Sequence, residues 1–276
     1  MKQKLFSFSS ENTYIHRLSG LTKLICFLIM TFAAMFSYDL RVLGLITAFA
    51  FYLFYVSKIS MRQVAPLFIY LLTFMAINAV LSFLFDPMYG VNIYGTRHDL
   101  IQFSEQYVLT SEQLFYQLSK TAKYISIIPL GLIFFCTTHP SEFAASLSRI
   151  KVPYKGAYAV SLTLRYFPDI QRQFMEISQA QQARGLDMSK KEKLFPRLKN
   201  MLMVLSPLIF STLDRVELIG NAMDLRGFGK HRTRSWYTAK SMKKADYLAI
   251  FVSSLFLVLS LIMIVVNGSR FYNPFM

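Results

Sequence analysis

The sequence predicts an all-α protein: a multi-pass membrane domain of about five spans and a cytoplasmic domain built on two long kinked helices. Three observations predict it. Apolar residues make up 54% of the 276-residue chain and charged residues only 16%, less charge than a soluble domain carries. The apolar residues fall in runs that approach the ~20 needed to cross a hydrocarbon core of ~30 Å. Most Lys and Arg gather in one stretch, residues 139–245. The domains that follow are a membrane domain at 1–138, a cytoplasmic domain at 139–245, and a last span with its tail at 246–276.

Met1–Gly20 is polar. No small-residue cleavage site follows the first apolar run, so that run is expected to stay in the mature protein. Leu21–Tyr38 is the first span and Val42–Val56 the second, with a short polar break between them. Lys58 and Arg62 mark a return to the basic side, and Val64–Phe85 is the third span, ended by Asp86-Pro87. In residues 86–110, Tyr89–Gly95 and Tyr107–Thr110 read as short strands or a hairpin between Gly and Asn punctuation. Thr110-Ser-Glu-Gln113 fits a capping box, and the helix it starts runs into the fourth span, Tyr124–Thr137. Tyr247–Val266 is the fifth. Cys26 and Cys136 fall in spans and read as small buried hydrophobes rather than a disulfide or metal framework.

Orientation follows from the positive-inside rule. Lys2, Lys4, Arg17, Lys23, Lys58 and Arg62 mark the cytoplasmic side, whereas the 86–110 loop carries only Arg97. The N-terminus is therefore cytoplasmic, the 86–110 loop external, 139–245 cytoplasmic and the C-terminus external. The protein is placed in the cell membrane.

The formal net charge of +15 attracts nucleic acid, anionic lipid or acidic protein surfaces. A nucleic-acid reading asks for a basic soluble domain with stacking aromatics. Here most aromatics lie inside apolar runs, which leaves the lipid bilayer and acidic proteins as partners.

Within 139–245 one helix is expected from about Lys155 to Arg184, kinked at Pro168, with Ile170, Phe174 and Ile177 on one face. A second is expected from about Pro196 to Arg226, kinked at Pro207, with an apolar stripe of Leu205, Ile209, Leu213 and Val216. The two stripes are expected to bury against each other and under the spans. The linker Asp187–Leu194, with Lys190, Lys191 and Lys193, suits either anionic headgroups or plain solvent.

The two helices end alike. Ala180-Gln-Gln-Ala-Arg-Gly-Leu186 parallels Ala222-Met-Asp-Leu-Arg-Gly-Phe228. Arg in a last turn complements the negative pole of the helix dipole, and Gly suits the left-handed position that stops a helix. Each Arg then projects a planar fork suited to bidentate pairing with a carboxylate. One such end is a common cap. Two, on two similarly built helices, point to a pair of docking tips.

Enzyme signals are weak. His16, His98, His139 and His231 are scattered, with no His-Glu-x-x-His, no nucleophile elbow and no Walker A. Gly227-Phe-Gly-Lys-His231 has only the tail of the last. A self-contained channel or carrier places ionisable groups within its spans, and the five runs hold essentially none. Lys120 and Lys123 sit near the start of the fourth. A non-catalytic scaffold is the better reading.

Ala183-Arg184-Gly185 and Leu225-Arg226-Gly227 resemble the two Ala-Arg-Gly motifs of the transmembrane T component of energy-coupling factor (ECF) transporters. These are prokaryotic ATP-binding cassette importers of vitamins and metal ions. Ile15–Lys23, Pro140–Phe143, Val152-Pro153 and Leu164–Pro168 fit the same family, so the resemblance covers essentially the whole chain. Leu225 departs from the strict motif, although Leu is still apolar and a good helix former. The resemblance implies that Arg184 and Arg226 enter acidic grooves of two ATPase subunits and that a separate S component binds substrate in the membrane. It also implies that this chain needs no cofactor, since ATP is bound by the partner ATPases. A T component shared among many S components is favoured; one dedicated to cobalt, nickel or biotin is the alternative.

Overall fold

The computed structural model describes residues 13–102, 107–186, 194–231, 235–236 and 239–275. The lysine-rich linker Lys190, Lys191 and Lys193 lies outside the described residues. In order, the elements are α1 (Tyr14–Arg17), α2 (Gly20–Phe36), α3 (Leu40–Val56), α4 (Met61–Phe85), α5 (Tyr89–Tyr94), β1 (Asp99–Gln102), β2 (Val108–Thr110), α6 (Ser111–Thr137), α7 (Pro140–Arg149), α8 (Tyr154–Ala183), α9 (Leu194–Leu225) and α10 (Lys244–Val266). Among the described residues the protein is all-α apart from the small antiparallel pair β1–β2. The chain divides into two compact units, Met1–His139 with Lys240–Met276, and Pro140–Ala239.

Among the described residues, three helical stretches of the first unit are long and apolar enough to cross a bilayer: Val64–Phe85, Ser111–Thr137 and Lys244–Val266. Two shorter apolar helices, α2 and α3, have 17 residues each, the lower end of what a span requires. Ser19 caps α2 by accepting from Thr22 N, and Asp39 caps α3 by accepting from Arg41 N. The unit is held by α10 on α2, α3 on α6 and α2 on α6. Its core joins Met30, Ala33 and Ala34 of α2 to Val42, Leu43 and Ile46 of α3 and Leu130 of α6. Small residues allow close approach between helices in lipid, and hydroxyls bond across the gap. Ser260 Oγ donates to Ala33 O at 3.0 Å, and Thr47 and Ser126 share a hydroxyl–hydroxyl bond.

Two lysines fasten α2 and α6 as an antiparallel pair. Lys23, in the first turn of α2, donates to Thr137 O at the end of α6 (2.7 Å). Lys123 of α6 donates to Met35 O at the end of α2 (2.8 Å) and lies 3.2 Å from the centroid of the Tyr38 ring. Each cation meets a carbonyl that has no partner within its own helix, at the negative pole of that helix. Lys23 falls within the first run, Leu21–Tyr38, which corrects the expectation that the runs hold essentially no ionisable group; Lys123 sits just before the fourth, as expected. Both lysines are buried, and each is tolerated because a helix end supplies its counter-dipole.

One end of the unit gathers the turn before α3, the 86–110 segment and the C-terminal tail. Tyr38 N donates to Arg270 O at 2.9 Å, and Tyr38 stacks on Phe271 at 4.6 Å. Asn273 Nδ2 reaches Tyr94 O at 3.0 Å. Asp39 holds Arg41 through both carboxylate oxygens and accepts from Asn267 Nδ2. The opposite end gathers Ser19, Thr137 and Asp246, whose Oδ1 accepts from Ser19 N at 2.9 Å. This grouping is what an odd number of crossings requires.

Two local expectations need correction. Tyr89–Gly95 is not a strand: residues 89–94 form α5, closed by Gly95 at φ +71°. The helix is fixed by contact with α6, where a Cβ on Gly90 would meet Gln113 N at 2.5 Å. Gln113 does not close the capping box either. Thr110 Oγ1 accepts from Gln113 N at 3.3 Å, but the Gln113 side chain is spent on Gly90 N at 2.8 Å. Beside it, buried Glu112 accepts from Thr96 Oγ1, His98 N and His98 Nδ1 and ties the segment just before β1 to the start of α6.

Candidate docking site

The second unit holds α7, α8 and α9. Ala144 and Ala145 of α7 and Ala157 of α8 are buried where α7 packs on α8. The ten-residue α7 was not resolved as a helix by sequence patterning. Helices α8 and α9, of 30 and 32 residues, continue through Pro168 and Pro207. They pack on each other, with Ile170, Phe174 and Ile177 half-buried and Val204 and Leu208 buried. Of the stripe expected to bury on α9, Leu205 is half-buried and the other three residues are not. Ile209, Leu213 and Val216 remain 55%, 56% and 59% exposed. The covered face lies one position away, so among the described residues of the second unit these three side chains stay exposed.

Both helix ends carry the same backbone construction. Leu186 N donates to Gln181 O and Gly185 N to Gln182 O. Phe228 N donates to Met223 O and Gly227 N to Asp224 O. These paired bonds satisfy carbonyls that a helix end otherwise leaves unpaired, and they require a left-handed residue after the cap. Gly185 has φ +91° and Gly227 φ +66°. The cap residue itself is Arg184 in one case and Arg226 in the other. Ala183, Arg184, Leu225 and Arg226 are all exposed, Leu225 by 90%.

The two tips stand at opposite ends of the pair. Phe228, two residues past Arg226, lies 5.4 Å from Tyr154 and 4.8 Å from Tyr158, ring to ring, at the start of α8. Trp236 joins the same cluster. Arg215 of α9 sits 6.0 Å from the Tyr166 ring, farther along α8, so the helices run antiparallel through this half. Arg184 caps the far end of α8. Twenty-six residues separate Tyr158 from Arg184, roughly 40 Å at 1.5 Å per residue. Sequence patterning identified the arginines and glycines but not the aromatic anchor. Its only trace was the hydrophobe that follows each Gly.

A sequence model for the family described as CbiQ, cobalt transport protein, matches residues 11–236. The chain is 31% identical over 149 residues to an energy-coupling factor transporter transmembrane protein of Limosilactobacillus fermentum, covering 50% of this chain and 55% of that one. It is 27% identical to the protein of the same name from Exiguobacterium sibiricum over 80% of this chain and 84% of that one. Against the Streptococcus equi protein it is 26% identical over 87% of this chain and 88% of the relative. The repeated arginine-glycine helix ends, the apolar helices and these matches agree: the chain belongs to the CbiQ family, as a transmembrane T component of the energy-coupling factor transporters.

Proposed function

We propose that the chain is the non-catalytic membrane scaffold of an ATP-driven importer, passing movement from two ATPase subunits to a substrate-binding S component. The observation that carries this reading is the pair of Arg-Gly helix ends of matching backbone construction held at opposite ends of one antiparallel helix pair. A single partner surface has no need of two such tips roughly 40 Å apart. Two separate subunits, each offering a carboxylate-lined groove, fit them. Arg184 and Arg226 are the contacts, and Ala183, Gly185, Leu225 and Gly227 shape the turn that presents them. The exposed stripe Ile209, Leu213 and Val216 supplies an apolar face for the S component. ATP stays on the partner ATPases, so this chain takes no cofactor.

In this reading the N-terminus and the second unit face the cytoplasm, where ATP is available. The Asp39 turn and the C-terminal tail face outward. The cargo is a vitamin or another micronutrient chosen by the S component. The family's name favours cobalt as the second reading, in which the component serves one substrate.

The test is a double charge reversal, Arg184→Glu with Arg226→Glu, in the tagged complex. Both ATPases are expected to be lost on purification and uptake with them. Retention of both ATPases with uptake intact overturns the docking assignment.

A further inference from the structure

A cleft of about 510 Å³ lies at the end of the first unit where α1, the first turns of α2 and α10, and the last turns of α3 and α6 meet. Its walls are apolar: Phe27, Met30, Phe49, Phe134 and Val252 line it. Its charged lining residues are Arg17, Lys23, Lys243 and Asp246, of which Lys23 and Asp246 are buried and Arg17 and Lys243 exposed. Two of these four are already used. Asp246 accepts from Ser19 N at 2.9 Å and Lys243 N at 2.7 Å, closing the start of α10. Lys23 is spent on Thr137 O. That leaves the exposed side chains of Arg17 and Lys243. Among the described residues neither forms an ion pair.

The position of the cleft selects its ligand. The mouth lies at the ends of membrane-crossing helices, the level of lipid headgroups, and the walls run toward hydrocarbon depth. Tyr14, 84% exposed, sits on the rim, and an amphipathic aromatic is at home at that level. The volume lies within the ~300–1,000 Å³ of small-ligand sites. An apolar slot under two cations matches a ligand with a hydrocarbon chain and one negative head.

We propose that this cleft holds an acyl chain of one anionic glycerophospholipid, with its phosphate between Arg17 and Lys243. Bound there, the lipid bridges α1, α2 and α10 at the end of the unit where those helices begin. The site is separate from the docking tips and needs neither ATPase nor S component.

The experiment is native mass spectrometry of the full chain, delipidated in detergent. It is titrated with phosphatidylglycerol and with phosphatidylcholine of identical acyl chains. Phosphatidylglycerol is expected to bind first and as a single copy. A cation near a membrane surface contributes about a five-fold preference for anionic lipid. Arg17→Gln and Lys243→Gln are each therefore expected to weaken phosphatidylglycerol about five-fold while leaving phosphatidylcholine unchanged. Ala249→Phe, on the cleft wall, is expected to exclude both lipids. Lys244→Gln is the control: it adjoins Lys243 but does not line the cleft, and binding is expected to hold. Thermal midpoints of the three glutamine variants confirm folding. Equal binding of the two lipids overturns the proposal, as does an equal loss in Lys244→Gln, which marks diffuse surface attraction.

Discussion

Replacing Gly227 with Ala isolates what the helix ends require. Gly227 has φ +66°, and the nearest atom to an added Cβ is Lys230 Cδ at 3.9 Å. Space is therefore no obstacle, and the penalty is that of an L-residue in the left-handed region, about 1–2 kcal/mol. A helix end frays locally, so the tip opens in the free protein and the cost is met when the partner docks. At 1.4 kcal/mol per factor of ten, that weakens docking about 5- to 30-fold. Asn tolerates the left-handed region better than other side-chain-bearing residues, so Gly227→Asn is expected to restore most of the affinity. Gly185→Ala follows the same logic, because φ there is +91° and nothing lies within 4 Å of an added Cβ. The assay titrates labelled ATPase subunits against the chain in nanodiscs. If Asn is as damaging as Ala, the role is a contact rather than a backbone angle. If Ala has no effect, the turn does not present the arginine.

Two further outcomes follow from the first unit. Lys23→Met and Lys123→Met each remove an interhelical bond to a helix-end carbonyl and are expected to cost about 1 kcal/mol, read as lower thermal midpoints in detergent. Lys123→Met also loses the contact with Tyr38, and Lys23→Met a second bond to His16 O at 3.3 Å. Burial opposes the charge of Asp39, but hydrogen bonds from Arg41 and Asn267 outweigh it and hold its carboxyl below the ordinary range. Its contribution is therefore complete above the unfolded carboxylate value of about 4 and is lost as pH falls through the lowered native value. Asp39→Asn is expected to flatten that acid dependence in a pH series of thermal midpoints.

What was legible in the sequence is what local physics decides. Bilayer thickness sets the length of an apolar run, so the runs Val64–Phe85 and Tyr247–Val266 fall inside the helices Met61–Phe85 and Lys244–Val266, whereas the run Tyr124–Thr137 is only the second half of α6, Ser111–Thr137. The left-handed glycine after a helix is also local, and both Arg-Gly ends appear where the pattern placed them. The errors have a different origin. Tyr89–Gly95 carries strand-like residues, yet Gly90 allows a helix to pack directly on α6. Lys23 reads as interfacial charge until the end of α6 is seen above it. The stripe on α9 is apolar as expected, but α8 covers the neighbouring face. In each case a partner distant in sequence made the decision, and no window along the chain contains it.

Leu225 is 90% exposed and adjoins Arg226 at the second tip, which makes it a direct reporter for the proposed docking. A photo-crosslinking side chain placed at Leu225, and separately at Ala183, is activated in the assembled complex, and the adducts are identified by mass spectrometry. An ATPase subunit is expected at each position, from two different copies or two different ATPases. Adducts to the S component alone, or none from either position, contradict it.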